Sequence, residues 1–129
     1  MAKTARLGWV VLYVDDIEVS SAFYEGVFGL ERTVDWEGYR EYATGPTKFG
    51  LLDRTQARSH VPAADGGSRS SQVSFLVELE QVDQTYLTAV AAGAVGMVEP
   101  ADKPWGQRIG YVADPDDHLI EIGSPLTDS

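Results

Sequence analysis

The sequence has no cysteine, half as many basic as acidic residues and no long apolar run. The lack of cysteine excludes disulfides, thiolate metal ligands and a cysteine nucleophile. No segment is long enough to cross a bilayer. The 20 acidic and 10 basic residues give a formal net charge of −10, which repels nucleic acid. We therefore expect a soluble cytoplasmic protein that binds neither membranes nor nucleic acid, and whose acidic surplus aids solubility or favours cationic ligands.

The composition and the first apolar segment predict a globular domain with a strand near its start. Hydrophobic residues make up 43% of 129 residues, enough for one sizeable core. Residues 9–14, WVVLYV, alternate so that Trp9, Val11 and Tyr13 share one face, and the residues between them share the other. Both faces are apolar, so both should be covered.

The chain contains an internal repeat. Residues 9–23 and 72–86, offset by 63 positions, each read as an alternating strand, an acidic turn and a helix. In the first helix, Asp15 or Asp16 can cap the start, and Val19, Phe23 and Val27 form an apolar stripe.

The two halves also end alike, each with a turn that leads into a strand, at 44–52 and 113–122. Each half has room for two further strands, predicted near 30–36, 39–44, 95–99 and 108–113. We therefore expect two β-α-β-β-β modules, at about 6–54 and 72–124, joined by a polar linker at about 55–71.

Three stretches in this order resemble the glyoxalase / bleomycin resistance / extradiol dioxygenase superfamily, also called vicinal oxygen chelate proteins. They are VVLYVDDIEVSSAFYEGVFGLE at 10–31, VSFLVE at 73–78 and PWGQRIGYVADPDDHLIEI at 104–122. In the last stretch, Asp117 and His118 replace the usual glycine and asparagine of the turn, and aspartate tolerates the left-handed conformation needed there. The resemblance implies an α+β fold whose two modules form a cupped mixed sheet around a central cavity, often completed by dimerisation.

The resemblance also implies where a metal would bind. The superfamily's metal enzymes carry one ligand on the first and last strand of each module, which maps onto Trp9, Gln72, Glu121 and either Leu51 or Leu52. Only Gln72 and Glu121 can donate to a metal, whereas a catalytic metal commonly has three protein ligands that include histidine. We therefore expect no metal and no other cofactor.

The same mapping predicts a ligand-binding surface. Trp9 is interpreted as a pocket wall, and Glu121 should meet either a ligand cation or an internal donor. The aromatic residues Trp36, Tyr39 and Tyr42 line the cup or are ordinary strand residues, and Arg108 is expected in a structural ion pair. The residues predicted to contact the ligand are Trp9, Val11, Tyr13, Trp36, Leu51, Gln72, Trp105 and Glu121.

Three functions fit these residues. The first is a non-enzymatic, homodimeric protein of the antibiotic-resistance type that sequesters an aromatic or cationic small molecule. The second is a lyase, isomerase or dioxygenase, with or without a metal, in which Glu121 acts as the catalytic base. The third is an inert interaction module. The lost ligand positions and the tryptophan on the predicted cavity face favour the first.

Overall fold

The computed structural model describes residues 7–60 and 72–126, which form two compact units, each built on one four-stranded mixed sheet. The expected α+β class and the β-α-β-β-β order of both modules are confirmed. None of the helices in the described ranges has the length and hydrophobicity of a membrane-spanning segment.

Module one pairs its first strand in parallel with its last. Its elements are β1 (Trp9–Val14), α1 (Ile17–Phe28), β2 (Glu31–Trp36), β3 (Tyr39–Ala43), β4 (Lys48–Asp53) and α2 (Arg54–His60). The sheet order is β1-β4-β3-β2, with antiparallel pairing between β4 and β3 and between β3 and β2.

Helix α1 begins at an aspartate cap, as expected. The Asp16 side chain accepts hydrogen bonds from the backbone N–H groups of Glu18 and Val19, at 3.0 and 3.2 Å. The predicted apolar stripe is wrong in part, because Val19 is exposed while Ser20 and Ser21 are buried. Large sheet residues, among them Tyr42 and Phe49, fill the layer beneath the helix, so the small serines face the sheet there.

The predicted linker starts with a helix. Helix α2 includes the first residues of the predicted linker. The Asp53 side chain caps the helix by accepting a hydrogen bond from the Thr55 N–H at 2.8 Å, and Ala57 of the helix is buried. The rest of the predicted linker, 61–71, lies outside the described residues.

Module two repeats the arrangement of module one. Its elements are β5 (Gln72–Leu76), a 3₁₀ turn (Leu79–Gln81), α3 (Val82–Ala91), β6 (Val95–Asp102), β7 (Arg108–Ala113) and β8 (Leu119–Gly123). The sheet order is β5-β8-β7-β6. The turn before β8 keeps the predicted shape, because Asp117 has a φ of 70°, and the Asp114 side chain accepts hydrogen bonds from the N–H groups of Asp116 and His118.

Candidate functional site

Each sheet has one face packed on its helix and one face turned the other way, here called the open face. In module one, β1 and β4 run in register, so Trp9 lies beside Lys48 and Tyr13 beside Leu52. The antiparallel pairing of β3 with β4 adds Tyr39 beside Leu52. The open face of module one carries Trp9, Val11, Tyr13, Trp36, Tyr39, Glu41, Lys48, Gly50 and Leu52.

The strand register corrects the expected position of Leu51. This side chain is 0% exposed and pairs with Leu12 on the helix face, so it does not belong to the open face. The pairing of Trp9 with Lys48 matches that of Gln72 with Leu119, so Gly50 is the residue of module one that is equivalent to Glu121. The last-strand position of module one is therefore a glycine and neither of the two leucines.

Tyr42 also lies on the helix face. Its side chain is fully buried, and its hydroxyl donates to the Glu25 carboxylate at 2.7 Å. Burial opposes ionisation of Glu25, but the hydrogen bonds from Tyr42 and Arg32 outweigh it and lower the Glu25 pKa. Tyr42 is thus part of the core of module one, whereas Trp36 and Tyr39 lie on the open face.

A buried carboxylate, Glu41, stands at the centre of the open face of module one. Its side chain accepts hydrogen bonds at Oε1 from Trp9 Nε1–H at 2.8 Å and from the Tyr39 hydroxyl at 2.7 Å. Lys48 Nζ lies 3.8 Å from Oε2. The bond from Tyr39, with smaller contributions from Trp9 and Lys48, lowers the Glu41 pKa against the opposing effect of burial, which leaves the residue 7% exposed.

Tyr39 fills the space that a side chain at position 50 would need. A Cβ added to Gly50 would lie 2.7 Å from the Tyr39 hydroxyl oxygen. Burial, together with the bond to Glu41, raises the Tyr39 pKa above its ordinary range. Where module two has a carboxylate on its last strand, module one therefore has a tyrosine hydroxyl bound to a carboxylate of the neighbouring strand.

The sequence analysis did not predict Glu41 as a site residue, although the alternation of residues along β3 indicates it in part. Tyr39 and Glu41 alternate with Arg40 and Tyr42 along β3, so one strand face pairs a tyrosine with an acid. Both pairs contain one aromatic and one charged residue, so the pattern does not show which face packs on the helix. The contacts of Arg40 with Glu18 and Ser21 on α1 decide this.

The carboxylate of module two, Glu121, is held by uncharged donors. Ser74 Oγ donates to Oε1 at 2.7 Å, Tyr111 donates to Oε2 at 2.9 Å, and Gln72 Nε2 lies 3.4 Å from Oε2. Burial, with the bond to Glu121, raises the Tyr111 pKa. In the described part of the chain, no lysine, arginine or histidine forms an ion pair with half-buried Glu121.

The remaining predicted residues lie in two settings. Trp36 is 68% exposed beside Tyr39, with ring centroids 6.0 Å apart. Trp105 lies in the exposed loop before β7 and donates to Gln107 Oε1 at 2.8 Å. The predicted ion pair of Arg108 is present, with Asp83 at 2.7 Å and Asp102 at 3.1 Å.

The four mapped metal-ligand positions offer few atoms that can bind a metal. Trp9 and Gly50 offer none, because the indole N–H only donates a hydrogen bond, here to Glu41, and glycine has no side chain. Gln72 and Glu121 supply one amide and one carboxylate. Across residues 7–60 and 72–126, no group of three or more histidine, cysteine, aspartate or glutamate residues is arranged to hold a metal ion.

The duplicated β-α-β-β-β module is the architecture expected from the family resemblance in the sequence. The model of the Glyoxalase/Bleomycin resistance protein/Dioxygenase superfamily matches residues 6–122. The chain belongs to this superfamily, which confirms the resemblance seen in the sequence.

Similar proteins agree with this assignment. A family enzyme from Burkholderia phytofirmans superposes with a TM-score of 0.85 at 26% identity, covering 95% of this chain and all of that one. A glyoxalase-related enzyme from Fulvimarina pelagi gives 0.84 at 25%, covering 95% and 89%. A Mycobacterium tuberculosis protein named "Putative glyoxylase CFP32" is 28% identical over 127 residues, covering 95% of this chain and 45% of that protein. The chain thus spans less than half the length of this curated relative.

Proposed function

We propose that the chain is a small-molecule-binding member of its superfamily that works without a metal centre and sequesters an aromatic ligand carrying positive charge. The observation that carries this proposal is the environment of Glu121. Its oxygens accept from Ser74, Tyr111 and Gln72, all uncharged, and no described cation pairs with it. A half-buried carboxylate without a cation is a strong partner for a cationic group, because charge-assisted hydrogen bonds are stronger than neutral ones.

The loss of metal ligands supports binding without a metal. Trp9 and Gly50 replace two of the four ligand positions, and the Tyr39 hydroxyl fills the space beside Gly50. A transition metal would be left with one carboxylate and one amide, which is a poor ligand set without histidine. The family's metal-dependent chemistry, in which the ion acts as a Lewis acid, therefore lacks its support in this chain.

The exposed aromatic residues of module one support an aromatic ligand. Trp9 is 57% exposed although its indole N–H is fixed by Glu41, so its ring is presented in one orientation. Trp36 is exposed on the same open face, next to Tyr39. Fixed aromatic rings with a few placed polar groups are typical of small-molecule sites.

Two substitutions test the separate contributions of charge and stacking. Glu121→Gln should lower the affinity for cationic aromatic ligands by about 10- to 100-fold and leave the affinity for neutral ones unchanged, because a charge-assisted hydrogen bond contributes roughly 1.5–3 kcal/mol. Trp9→Ala should lower the affinity for cationic and neutral ligands alike. Titration calorimetry with a panel of aromatic antibiotics and metabolites, in matched charged and neutral pairs, measures both effects.

A matched control separates a local effect from a change in overall charge. Glu99→Gln removes one negative charge from an exposed position on β6 and should leave all affinities near the wild-type values. Equal loss of neutral and cationic ligands in Glu121→Gln would refute the charge pairing. Unchanged affinities in Trp9→Ala would show that Trp9 is not a binding residue.

A second candidate function is a reaction with Glu121 as the base. The hydroxyls of Ser74 and Tyr111 donate a hydrogen bond to each oxygen of the Glu121 carboxylate, which would orient the carboxylate for proton transfer. Elemental analysis of the purified protein tests the metal-dependent form of this alternative, since about one transition metal per chain would favour an enzyme. The homodimer and the cytoplasmic location stay predictions.

A further inference from the structure

Lys48 places a cation against the aromatic ring of module one. It is the first residue of β4 and pairs directly with Trp9 on the neighbouring strand. Its ammonium nitrogen lies 5.5 Å from the centroid of the Trp9 ring and 3.8 Å from Glu41 Oε2. The side chain is 53% exposed, so both contacts are loose and in reach of solvent.

The two carboxylates of the open faces therefore differ in their partners. Glu41 has an internal cation, Lys48, which also covers the ring of Trp9. Glu121 has uncharged donors and, among the described residues, no ion-pair partner. The positive charge that module one supplies from its own chain is thus missing in module two.

We propose that Lys48 is a specificity-determining residue that acts as a tethered competitor for cations at Trp9. It disfavours a positive group on the open face of module one and leaves the Trp9 ring for the uncharged part of a ligand. This inference rests on the proposed function, because it assumes that Trp9 contacts a ligand.

The physical basis is that two cations placed on one ring face beside one carboxylate repel each other. A ligand cation that approaches Trp9 must displace the lysine ammonium or be repelled by it. The flexible lysine stem makes displacement possible at a modest cost. An uncharged aromatic ring can pack beside the lysine ammonium without repulsion. Lys48 should therefore lower the affinity for charged ligands more than the affinity for neutral ones.

The test compares two probes of one shape, N-methylquinolinium, a permanent cation, and quinoline, which is uncharged near neutral pH. Binding is followed at the Trp9 indole N–H signal in nitrogen-15 NMR spectra, assigned with Trp9→Phe. Lys48→Met, which keeps the chain length but removes the charge, should raise the affinity ratio of cation to neutral probe by about 2- to 5-fold, the range of an exposed cation–π contact.

Two variants control for other causes. Lys48→Arg keeps the charge and should keep the wild-type ratio. Lys103→Met changes the net charge equally from the loop before β7 and should leave the ratio unchanged. An unchanged ratio in Lys48→Met, with clear binding of both probes, would overturn the role of Lys48 and leave the proposed function standing. If neither probe shifts the Trp9 signal in any variant, Trp9 is not a binding residue, and both proposals fail there.

Discussion

Replacing Glu41 by glutamine should lower the free energy of unfolding by about 1–2 kcal/mol near neutral pH. The substitution keeps the shape of the side chain and removes its charge. Two hydrogen bonds, from Trp9 at 2.8 Å and Tyr39 at 2.7 Å, then end on a neutral oxygen. Bonds to a charged group contribute roughly 1.5–3 kcal/mol and neutral ones roughly 0.5–1.5, and relief from burying a charge offsets part of the difference.

The effect should depend on pH in a defined direction. The Glu41 pKa in the folded protein lies below its ordinary value of 4.5. As the pH falls, the unfolded chain takes up this proton first, so the stabilisation is complete above the unfolded pKa and is lost as the pH falls through the folded value. The stability gap between wild type and Glu41→Gln should be constant near neutral pH and close in acid, below about 4.5.

Urea unfolding followed by circular dichroism measures the difference in the free energy of unfolding between the two proteins, provided that this free energy falls with urea concentration at the same slope in both. Glu37→Gln is the matched control, because Glu37 is an exposed acid in the turn between β2 and β3. A Glu41→Gln protein as stable as wild type at neutral pH, or a gap that persists unchanged in acid, would show that the cluster around Glu41 is not held by its charge.

Two further substitutions test how the fold is held. Gly50→Ala should destabilise the protein by about 1–3 kcal/mol because its Cβ meets the hydroxyl and ring of Tyr39, and by less in a Tyr39→Ala background, as chemical denaturation of the four proteins would show; equal costs would contradict the steric account. Asp16→Ala should lower the thermal midpoint, with a loss of about 0.5–2 kcal/mol, whereas Asp16→Asn should keep the cap of α1; equal losses in both would exclude a capping role.

The repeat and the strand alternation made the fold and part of the site predictable. Alternation is a local property, so the side chains of Trp9 and Tyr13 could be placed on one face of β1 from the sequence. The turn at Asp117 was predictable for the same reason, because its conformation depends on adjacent residues.

The register of β4 was not predictable, and with it the position that matches Glu121. A slip of one residue moves every side chain to the other face, and the turns that precede β4 and β8 differ in length. Both leucines were plausible ligand-position candidates, while Gly50, which has no side chain, gave no chemical signal. The partners of Glu41 were hidden for a related reason, since Trp9 comes from a strand 32 residues away.

Contacts between strands far apart in the sequence also decide when each half of the chain can fold. Trp9 meets its partner Glu41 across 32 residues, and Ser74 meets Glu121 across 47, so neither centre exists until nearly a whole module has been synthesised. Closing such loops costs entropy before any contact offsets it, which slows folding. Trp9 and Glu121 therefore have a second role besides the proposed binding one, because their long-range contacts hold each module together after the transition state for folding has been passed. Substitutions meant to alter affinity should also speed unfolding, and unfolding rates should be measured beside every affinity.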